Sequence, residues 1–399
     1  MRILWTLPYF PWPVTSGGKS RQYHLIKGMA ERGHQITLLV QTKTMPSQND
    51  RAQLAPFVEQ QIILPRRPLC TAKTLTASLL PRYPLLVAAN GFSSELGNQF
   101  TALLKQPWDI IQIEHSYAFQ PYAKELHSHP FILTEHNIES SLGDATYNRF
   151  PNWLKPLLRF DQKRMRHWEK YAWGQAEQVV ATTEEDSIEI SHFSRFPCAV
   201  VFNGVDISHF STVEPDYAQG SLLYIGNFEY APNREAVEWL LTDIMPLVWQ
   251  HFPRLRLQIG GYATPENWIK RWADKRIHWL GFIKDLRTVQ QNTAIFIAPL
   301  RHGGGSKLKV LEAMAAALPV ISTGQGTSGL RVADGTHYMH AETPHEFYKA
   351  VHDLVSNSTQ AQRIGQAGRE YALQHDWSRA AEKLEQVYME FNARNAHRH

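Results

Sequence analysis

Residues 294–330 read AIFIAPLRHGGGSKLKVLEAMAAALPVISTGQGTSGL, and this stretch predicts the fold of its half of the chain. An apolar run ends at Pro299, three glycines follow, and small and apolar residues then recur at helical spacing before a second apolar run at 320–322. A helix between two such runs is typical of a strand-helix-strand unit in a parallel sheet. The stretch therefore predicts an α/β fold.

The same alternation of short apolar runs and helical segments occurs in two series. We predict strands at 3–7, 35–40, 110–115, 131–135, 178–182 and 199–202, and after a turn and a polar stretch at 222–225, 255–259, 278–280, 294–298 and 320–322. Two Rossmann-like domains, 1–204 and 205–376, follow from this pattern. Proteins with parallel sheets bind ligands at the carboxyl ends of the strands. We therefore expect these ends of the two sheets to face each other across a cleft between the domains.

Composition excludes several classes of protein. The 399 residues are 43% apolar and 20% charged, with a net charge of +4 from 41 basic and 37 acidic side chains, which fits a folded enzyme or receptor and gives no indication of nucleic-acid binding. Cys70 and Cys198 are too few for a disulfide framework or a four-cysteine zinc site. The prolines of MRILWTLPYFPWPV argue against a signal peptide, and no run of about 18 apolar residues could span a membrane. These features predict a cytoplasmic protein.

The loop and helix after the strand at 294–298 predict an anion site. Cations at the start of a helix are unfavourable unless an anion is held there, because that end already carries partial positive charge. The candidate residues for a diphosphate are Arg301, Gly303, Gly304, Gly305, Ser306, Lys307 and Lys309. The two lysines are two positions apart on a helix, so only one can line the site well. Glu312 lies among small and apolar residues and is either a buried structural carboxylate or a ligand of ribose hydroxyls.

A second candidate site lies in the first half of the chain. Gly17 and Gly18 precede a helix and would let the backbone approach a ligand closely, although they would serve equally as ordinary turn residues. His136, beside Glu135 and Asn137 at a strand end, could accept a proton or hydrogen-bond a sugar hydroxyl.

The segment 149–171 carries seven basic and two acidic side chains, a local charge of +5. Five of the basic residues fall at helical spacing on one stripe: Lys155, Arg159, Lys163, Arg166 and Lys170. Five apolar residues are expected on the opposite stripe: Leu154, Leu157, Leu158, Met165 and Trp168. This is either a domain helix with a solvated back or a surface for anionic lipid headgroups or a phosphorylated acceptor.

The chain resembles the retaining GT-B glycosyltransferases. The resemblance covers nearly the whole sequence, and its carriers are PVTSGGKSRQYHLIKGMAERGHQITLL, VVATTEEDS, VVFNGVD, LLYIGNF and the stretch at 294–330. It implies that Glu312 holds the nucleotide ribose, that the Gly17-Gly18 loop lies near the phosphates and the acceptor, and that His136 is the active-site histidine. It also implies that residues 377–399 form a helix crossing back to the first domain, followed by a tail.

The sequence departs from the family pattern at two places. The Glu that commonly contacts the donor sugar is replaced by Gly304, and the Arg and Lys that commonly grip the diphosphate are replaced by a segment beginning at Asn227. We infer that Arg301 with Lys307 or Lys309 supplies the missing charge, and that Asn227 contacts the substrate.

Together with these residues, the resemblance implies a metal-independent hexosyltransferase without a resident cofactor. Its partners would be a nucleoside-diphosphate sugar and a glycan, lipid-linked or small-molecule acceptor, with an anionic inner membrane face as a further partner of the basic segment, and no nucleic acid. Two alternatives are a catalytically silent sugar-nucleotide binder and a nucleotide-sugar epimerase of the same fold.

Overall fold

The computed structural model describes residues 1–67, 71, 76, 83–141, 152, 153, 155–218, 220–303 and 307–396. The chain forms two compact units. Unit 1 comprises Met1–Phe202 together with Ala380–His399, and unit 2 comprises Asn203–Arg379.

Unit 1 is built on a seven-stranded parallel sheet in the order β3-β2-β1-β4-β5-β6-β7. Its strands are β1 (Arg2–Leu7), β2 (Gln35–Thr42), β3 (Gln60–Pro65), β4 (Ile110–Glu114), β5 (Ile132–Thr134), β6 (Gln178–Ala181) and β7 (Ala199–Val200). Its helices are α1 (Gly17–Glu31), α2 (Gln48–Leu54), α3 (Leu85–Asn90), α4 (Ser94–Leu103), α5 (Lys155–Gln175) and α6 (Glu184–Ser191). In the central register Ile3 of β1 lies between Ile36 of β2 and Ile110 of β4.

Unit 2 contains a six-stranded parallel sheet in the order β10-β9-β8-β11-β12-β13. The strands are β8 (Ser221–Ile225), β9 (Arg256–Gly260), β10 (Ile277–Gly281), β11 (Ile295–Ala298), β12 (Val320–Ser322) and β13 (Met339–His340). The helices are α7 (Ile207–Phe210), α8 (Ala231–Trp239), α9 (Met245–His251), α10 (Glu266–Arg271), α11 (Arg287–Gln290), α12 (Leu308–Ala315), α13 (Pro344–Ser356) and α14 (Ser358–Ala372). One π-helical turn, Leu240–Ile244, joins α8 to α9.

The last helix, α15 (Trp377–Ala396), begins in unit 2 and belongs to unit 1 from Ala380 onward. One side of it is buried, with Ala381, Leu384, Tyr388 and Phe391 each at most 2% exposed. Burial of such apolar surface is the main stabilising contribution to its packing.

The sheets confirm the predicted α/β fold class, and every predicted strand corresponds to an observed one. Two observed strands were not predicted. β3 is an edge strand whose residues are only half-buried, so its sequence lacks a strong apolar pattern, and β13 is only two residues long. Both lie at sheet edges, where the burial that makes strands recognisable is weakest.

Candidate functional site

The start of α12 places a half-buried lysine, Lys309, at the carboxyl edge of the unit 2 sheet. Lys309 Nζ donates to Asn233 Oδ1 at 2.6 Å and to Tyr224 Oη at 3.2 Å, and it lies 4.6 Å from the centre of the Tyr224 ring. Burial, reinforced by the neighbouring Lys307 charge, lowers the pKa of the Lys309 amine to about 7. This amine is therefore held with uncharged partners and would gain from a nearby anion.

Lys307 lies on the loop side of the same helix. Its Nζ donates to the Gly303 carbonyl at 2.8 Å, and Gln325 Nε2 donates to the same oxygen at 2.6 Å. Gly303 has φ +116, a left-handed conformation that disfavours a side chain, and a Cβ there would lie 2.9 Å from Tyr230 Oη. Lys307 thus fixes the loop that precedes α12. Gly304, Gly305 and Ser306 lie outside the described residues.

Glu312 is on the same face of α12 as Lys309, three positions further along. Burial raises the pKa of its carboxyl to about 7. No hydrogen bond or ion pair links this carboxylate to another part of the chain that the structure describes. Half-buried and without a donor among the described residues, it is suited to accept hydrogen bonds from ligand hydroxyls.

The other predicted residues of unit 2 have different surroundings. Arg301 is exposed, with its guanidinium 4.9 Å from the centre of the Trp239 ring. Asn227 follows β8, and its Oδ1 accepts from the Glu229 amide at 2.9 Å while its carbonyl accepts from Asn233 Nδ2 at 2.8 Å. Asn227 therefore shapes the loop between β8 and α8, the two elements that carry Tyr224 and Asn233, the partners of Lys309.

In unit 1 the structure brings Gly18 and His136 together. A Cβ on Gly18 would lie 3.4 Å from His136 Nδ1 and 2.6 Å from Tyr9 Oη, so the glycine allows the start of α1 to approach both side chains. Gly17, one residue earlier, is exposed. Tyr9, in the proline-rich loop after β1, was not predicted as a site residue because nothing in its local sequence distinguishes it.

His136 is anchored from the other end of its ring. Its Nε2 lies 3.0 Å from Glu114 Oε2 and 3.0 Å from Gln22 Nε2, and the centres of the His136 and His115 rings are 4.2 Å apart. His115 itself has φ +63 and lies with Nε2 3.4 Å from Tyr9 Oη. A non-glycine residue in this conformation at the end of β4 costs about 1–3 kcal/mol and is common at functional sites.

Burial determines the charge state of this cluster. Burial first, and the Arg21 cation second, hold the pKa of His136 well below its usual value, while burial raises the pKa of Glu114. His136 is therefore a neutral imidazole at physiological pH.

Arg21 follows the Gly17-Gly18 loop in the sequence, and its guanidinium is directed to main-chain carbonyls. It is 1% exposed, and its Nη1 donates to the carbonyls of Val201 at 2.8 Å and Phe202 at 3.4 Å. The cation therefore fixes the end of the sheet, and its field acts on Glu114 and His136.

The basic segment is partly folded as expected. In α5 Met165 and Trp168 are buried, whereas Leu157 is 63% exposed. Trp153 and Phe160 are 77% and 52% exposed, and the three apolar side chains follow one another at intervals of four and three residues. Exposed basic side chains, Arg159, Lys163 and Arg166, lie in the same region.

Within the described ranges, no group of three or more His, Cys, Asp or Glu side chains is arranged to hold a metal ion. A search of the same residues finds no helix with the length and apolar character needed to cross a membrane.

Two family models match the sequence. Residues 15–209 match the model "Glycosyltransferase Family 4", and residues 219–357 match "Glycosyl transferases group 1". Among curated relatives, a 44.6 kDa protein of the cps region of Klebsiella pneumoniae, whose function is uncharacterised, is 22% identical over 87% of this chain and 89% of its own length. A phosphatidyl-myo-inositol mannosyltransferase of Mycobacterium tuberculosis is 25% identical over 65% of this chain and 67% of its own length.

Two solved structures share the fold. HepE of Anabaena, determined with UDP and glucose, covers 98% of this chain and 100% of its own, with TM-score 0.70 and 15% identity. Sucrose-phosphate synthase of Thermosynechococcus elongatus covers the same shares, with TM-score 0.72 and 16% identity. At these identities the likeness extends to the fold.

Proposed function

We propose that this chain transfers a hexosyl unit from a nucleoside-diphosphate sugar to an acceptor hydroxyl with retention of the anomeric configuration. The matches to the two family models and the fold support a glycosyltransferase of the GT-B type. The acceptor would be a glycan, a lipid-linked sugar or a small molecule.

The observation that carries the proposal is a pair of desolvated groups on one face of α12, the basic amine of Lys309 and the acidic carboxyl of Glu312. The Lys309 amine would bind the diphosphate, and the Glu312 carboxylate, one turn along, would accept hydrogen bonds from ribose hydroxyls. Arg301 would add positive charge from the loop, while Lys307 holds that loop through the Gly303 carbonyl.

In this mechanism the diphosphate leaves as the sugar becomes cation-like. Fixed positive charge and backbone N–H groups aimed at the leaving oxygens stabilise that state more than the ground state, which is how they increase the rate. The charge comes from protein side chains, so the proposal needs no metal. His136 would orient the sugar or the acceptor, and attack would occur from the face on which the phosphate departs.

The first experiment measures donor binding and transfer with a panel of nucleotide sugars, and it determines the anomeric configuration of the product by NMR. Lys309→Met and Glu312→Ala are each expected to weaken donor binding at least about tenfold, since a charge-assisted contact contributes about 1.5–3 kcal/mol. Lys270→Met, on an exposed lysine of unit 2, is the control. Donor affinity unchanged in both variants would refute the assignment.

The remaining outcomes separate the alternatives. An inverted product would exclude retention. Binding without turnover would indicate a silent nucleotide-sugar binder, and an altered sugar released without an acceptor would indicate an epimerase.

We also propose that the exposed start of α5 binds anionic lipid headgroups. Apolar side chains at helical spacing beside basic ones are typical of helices that lie in a membrane interface. In cosedimentation with phosphatidylglycerol vesicles, Leu157→Ser with Phe160→Ser should reduce binding about tenfold. Ile269→Ser, an exposed apolar site of unit 2, is the control. Binding that is equal on phosphatidylcholine vesicles, or unaffected by the double variant, would contradict this role.

A further inference from the structure

A chain of buried hydrogen bonds runs from the C-terminal helix to His136. Tyr388 of α15 donates to Gln112 Oε1, and Gln112 Nε2 donates to Glu114 Oε1 at 2.5 Å. Glu114 Oε2 then lies 3.0 Å from His136 Nε2. Tyr388, Gln112 and Glu114 are each at most 1% exposed, so water does not compete for these contacts.

The two oxygens of Glu114 have different partners. Oε1 accepts two N–H groups, from Gln112 and from Trp5 Nε1 at 2.8 Å, whereas Oε2 faces the His136 imidazole. Two donors on Oε1 require that atom to be an acceptor. This arrangement fixes the orientation of the whole carboxylate and therefore where Oε2 points.

We propose that Glu114 is a positioning residue: its Oε2 accepts the Nε2–H of His136, which leaves the unprotonated Nδ1 facing the Gly18 surface to accept a hydrogen bond from a substrate hydroxyl. Gln112 and Tyr388 hold Glu114 in place. The inference rests on the proposed function, because the hydroxyl at Nδ1 belongs to the sugar or its acceptor. In this proposal, Glu114, Gln112 and Tyr388 determine which of its two neutral tautomers His136 adopts.

The surrounding groups are compatible with this assignment. The Gln22 amide lies 3.0 Å from His136 Nε2, and rotating that amide by half a turn presents its oxygen, otherwise buried without a partner among the described residues, to the Nε2–H. The charged and titratable neighbours are Arg21, His115, Tyr9 and Tyr388. The Arg21 cation favours both an ionised Glu114 and a neutral His136.

Glu114→Gln provides a specific test. The oxygen of the new amide must face the N–H groups of Gln112 and Trp5, so its NH2 group must face His136 Nε2 and donate to it. The variant should therefore convert His136 to the tautomer with the proton on Nδ1, which cannot accept the substrate hydrogen bond. A purely structural role for Glu114 would leave the tautomer unchanged.

The experiment uses the full chain labelled with 15N-histidine, with His136 assigned by comparison with His136→Gln. In the wild type, Nε2 should carry the proton and Nδ1 should be unprotonated, and Glu114→Gln should reverse the two. We expect kcat to fall about 10²-fold in Glu114→Gln, with KM for the donor within about twofold. Tyr388→Phe, which removes only the hydroxyl, should lower kcat about tenfold. Tyr122→Phe, on another buried tyrosine of unit 1, is the control.

Each outcome is decisive. A wild-type His136 with its proton on Nδ1 overturns the proposal without any variant, so a failure of Glu114→Gln to fold does not prevent the test. An unchanged tautomer in a folded Glu114→Gln, or kcat within twofold of the parent, also overturns it. If the parent transfers no sugar, the proposed function fails while the NMR spectra still decide the tautomer.

Discussion

We expect the affinity for a nucleotide sugar to be greatest near pH 7 and to fall on both the acidic and the alkaline side. Binding requires a protonated Lys309 to meet the diphosphate and an ionised Glu312 to accept the ribose hydroxyls. Burial brings the pKa of both groups to about 7, from opposite directions. Lys309 therefore loses its charge above pH 7, and Glu312 loses its charge below pH 7.

The size of the effect follows from the fraction of molecules with both groups in the competent state. With both pKa values at about 7, this fraction is about one quarter at pH 7 and about one twelfth at pH 6 or pH 8. The dissociation constant should rise about threefold at those values, and about eightfold at pH 5.5 and pH 8.5. The diphosphate diester of a nucleotide sugar stays ionised throughout this range, so the profile reports the protein groups.

Two variants should each remove one limb of the profile. Lys309→Arg keeps its charge at every accessible pH, so the alkaline limb should disappear. Glu312→Gln cannot ionise, so the acidic limb should disappear, at the expense of weaker binding at pH 7. Isothermal titration calorimetry from pH 5.5 to 8.5, with Lys270→Met as control, measures all four profiles. A flat wild-type profile, or limbs that survive both substitutions, would refute the assignment of these two groups.

Three further predictions concern stability and catalysis. Lys309→Met should stabilise the unliganded protein at pH 7 by about 1–3 kcal/mol. The pKa of the Lys309 amine is lower in the folded than in the unfolded protein, so this amine destabilises the fold below about pH 10 and increasingly so down to pH 7. Urea unfolding that shows no gain in stability at pH 7 would contradict this prediction. Gly18→Ala must move Tyr9 Oη, which lies 2.6 Å from the new Cβ, and should lower kcat about tenfold while the melting temperature changes by less than about 2 °C. Gly261→Ala would place a Cβ 1.7 Å from the Gly226 carbonyl oxygen and should lower the free energy of unfolding, measured with denaturant, by about 3 kcal/mol or more. A loss of less than about 1 kcal/mol would be inconsistent with this close approach.

The sequence was sufficient for the central strands of both sheets because these strands are buried on both faces. The strand at 294–298 and the helix from 308 could be predicted from apolar runs and from the glycines between them, and both are observed. Lys309 and Glu312 could be selected because each is a charged side chain in an otherwise apolar helix. Which of the two lysines would contact Asn233 and Tyr224 could not be predicted, since those two partners come from another part of unit 2.

The partners of His136 were beyond local reasoning. Tyr388 and Gln112 are separated by 276 positions, and no periodicity or spacing relates them. Arg21 illustrates the opposite error, since a basic side chain next to a glycine loop suggests a ligand contact, whereas its position on the buried side of α1 directs it to main-chain carbonyls. In α5 the spacing indicated an amphipathic helix, but spacing does not specify which apolar residues meet a neighbour.

The division of unit 1 between Met1–Phe202 and Ala380–His399 has a consequence for biosynthesis. Residues 1–202 leave the ribosome long before α15 is synthesised. The sheet of unit 1 therefore lacks this helix while unit 2 is being synthesised. During that interval the surface that later contacts Leu384, Tyr388 and Phe391 is open to solvent and to chaperones. Translation must therefore proceed past Tyr388 before Gln112 acquires its tyrosine partner, and a nascent chain stalled earlier would carry an incomplete His136 environment.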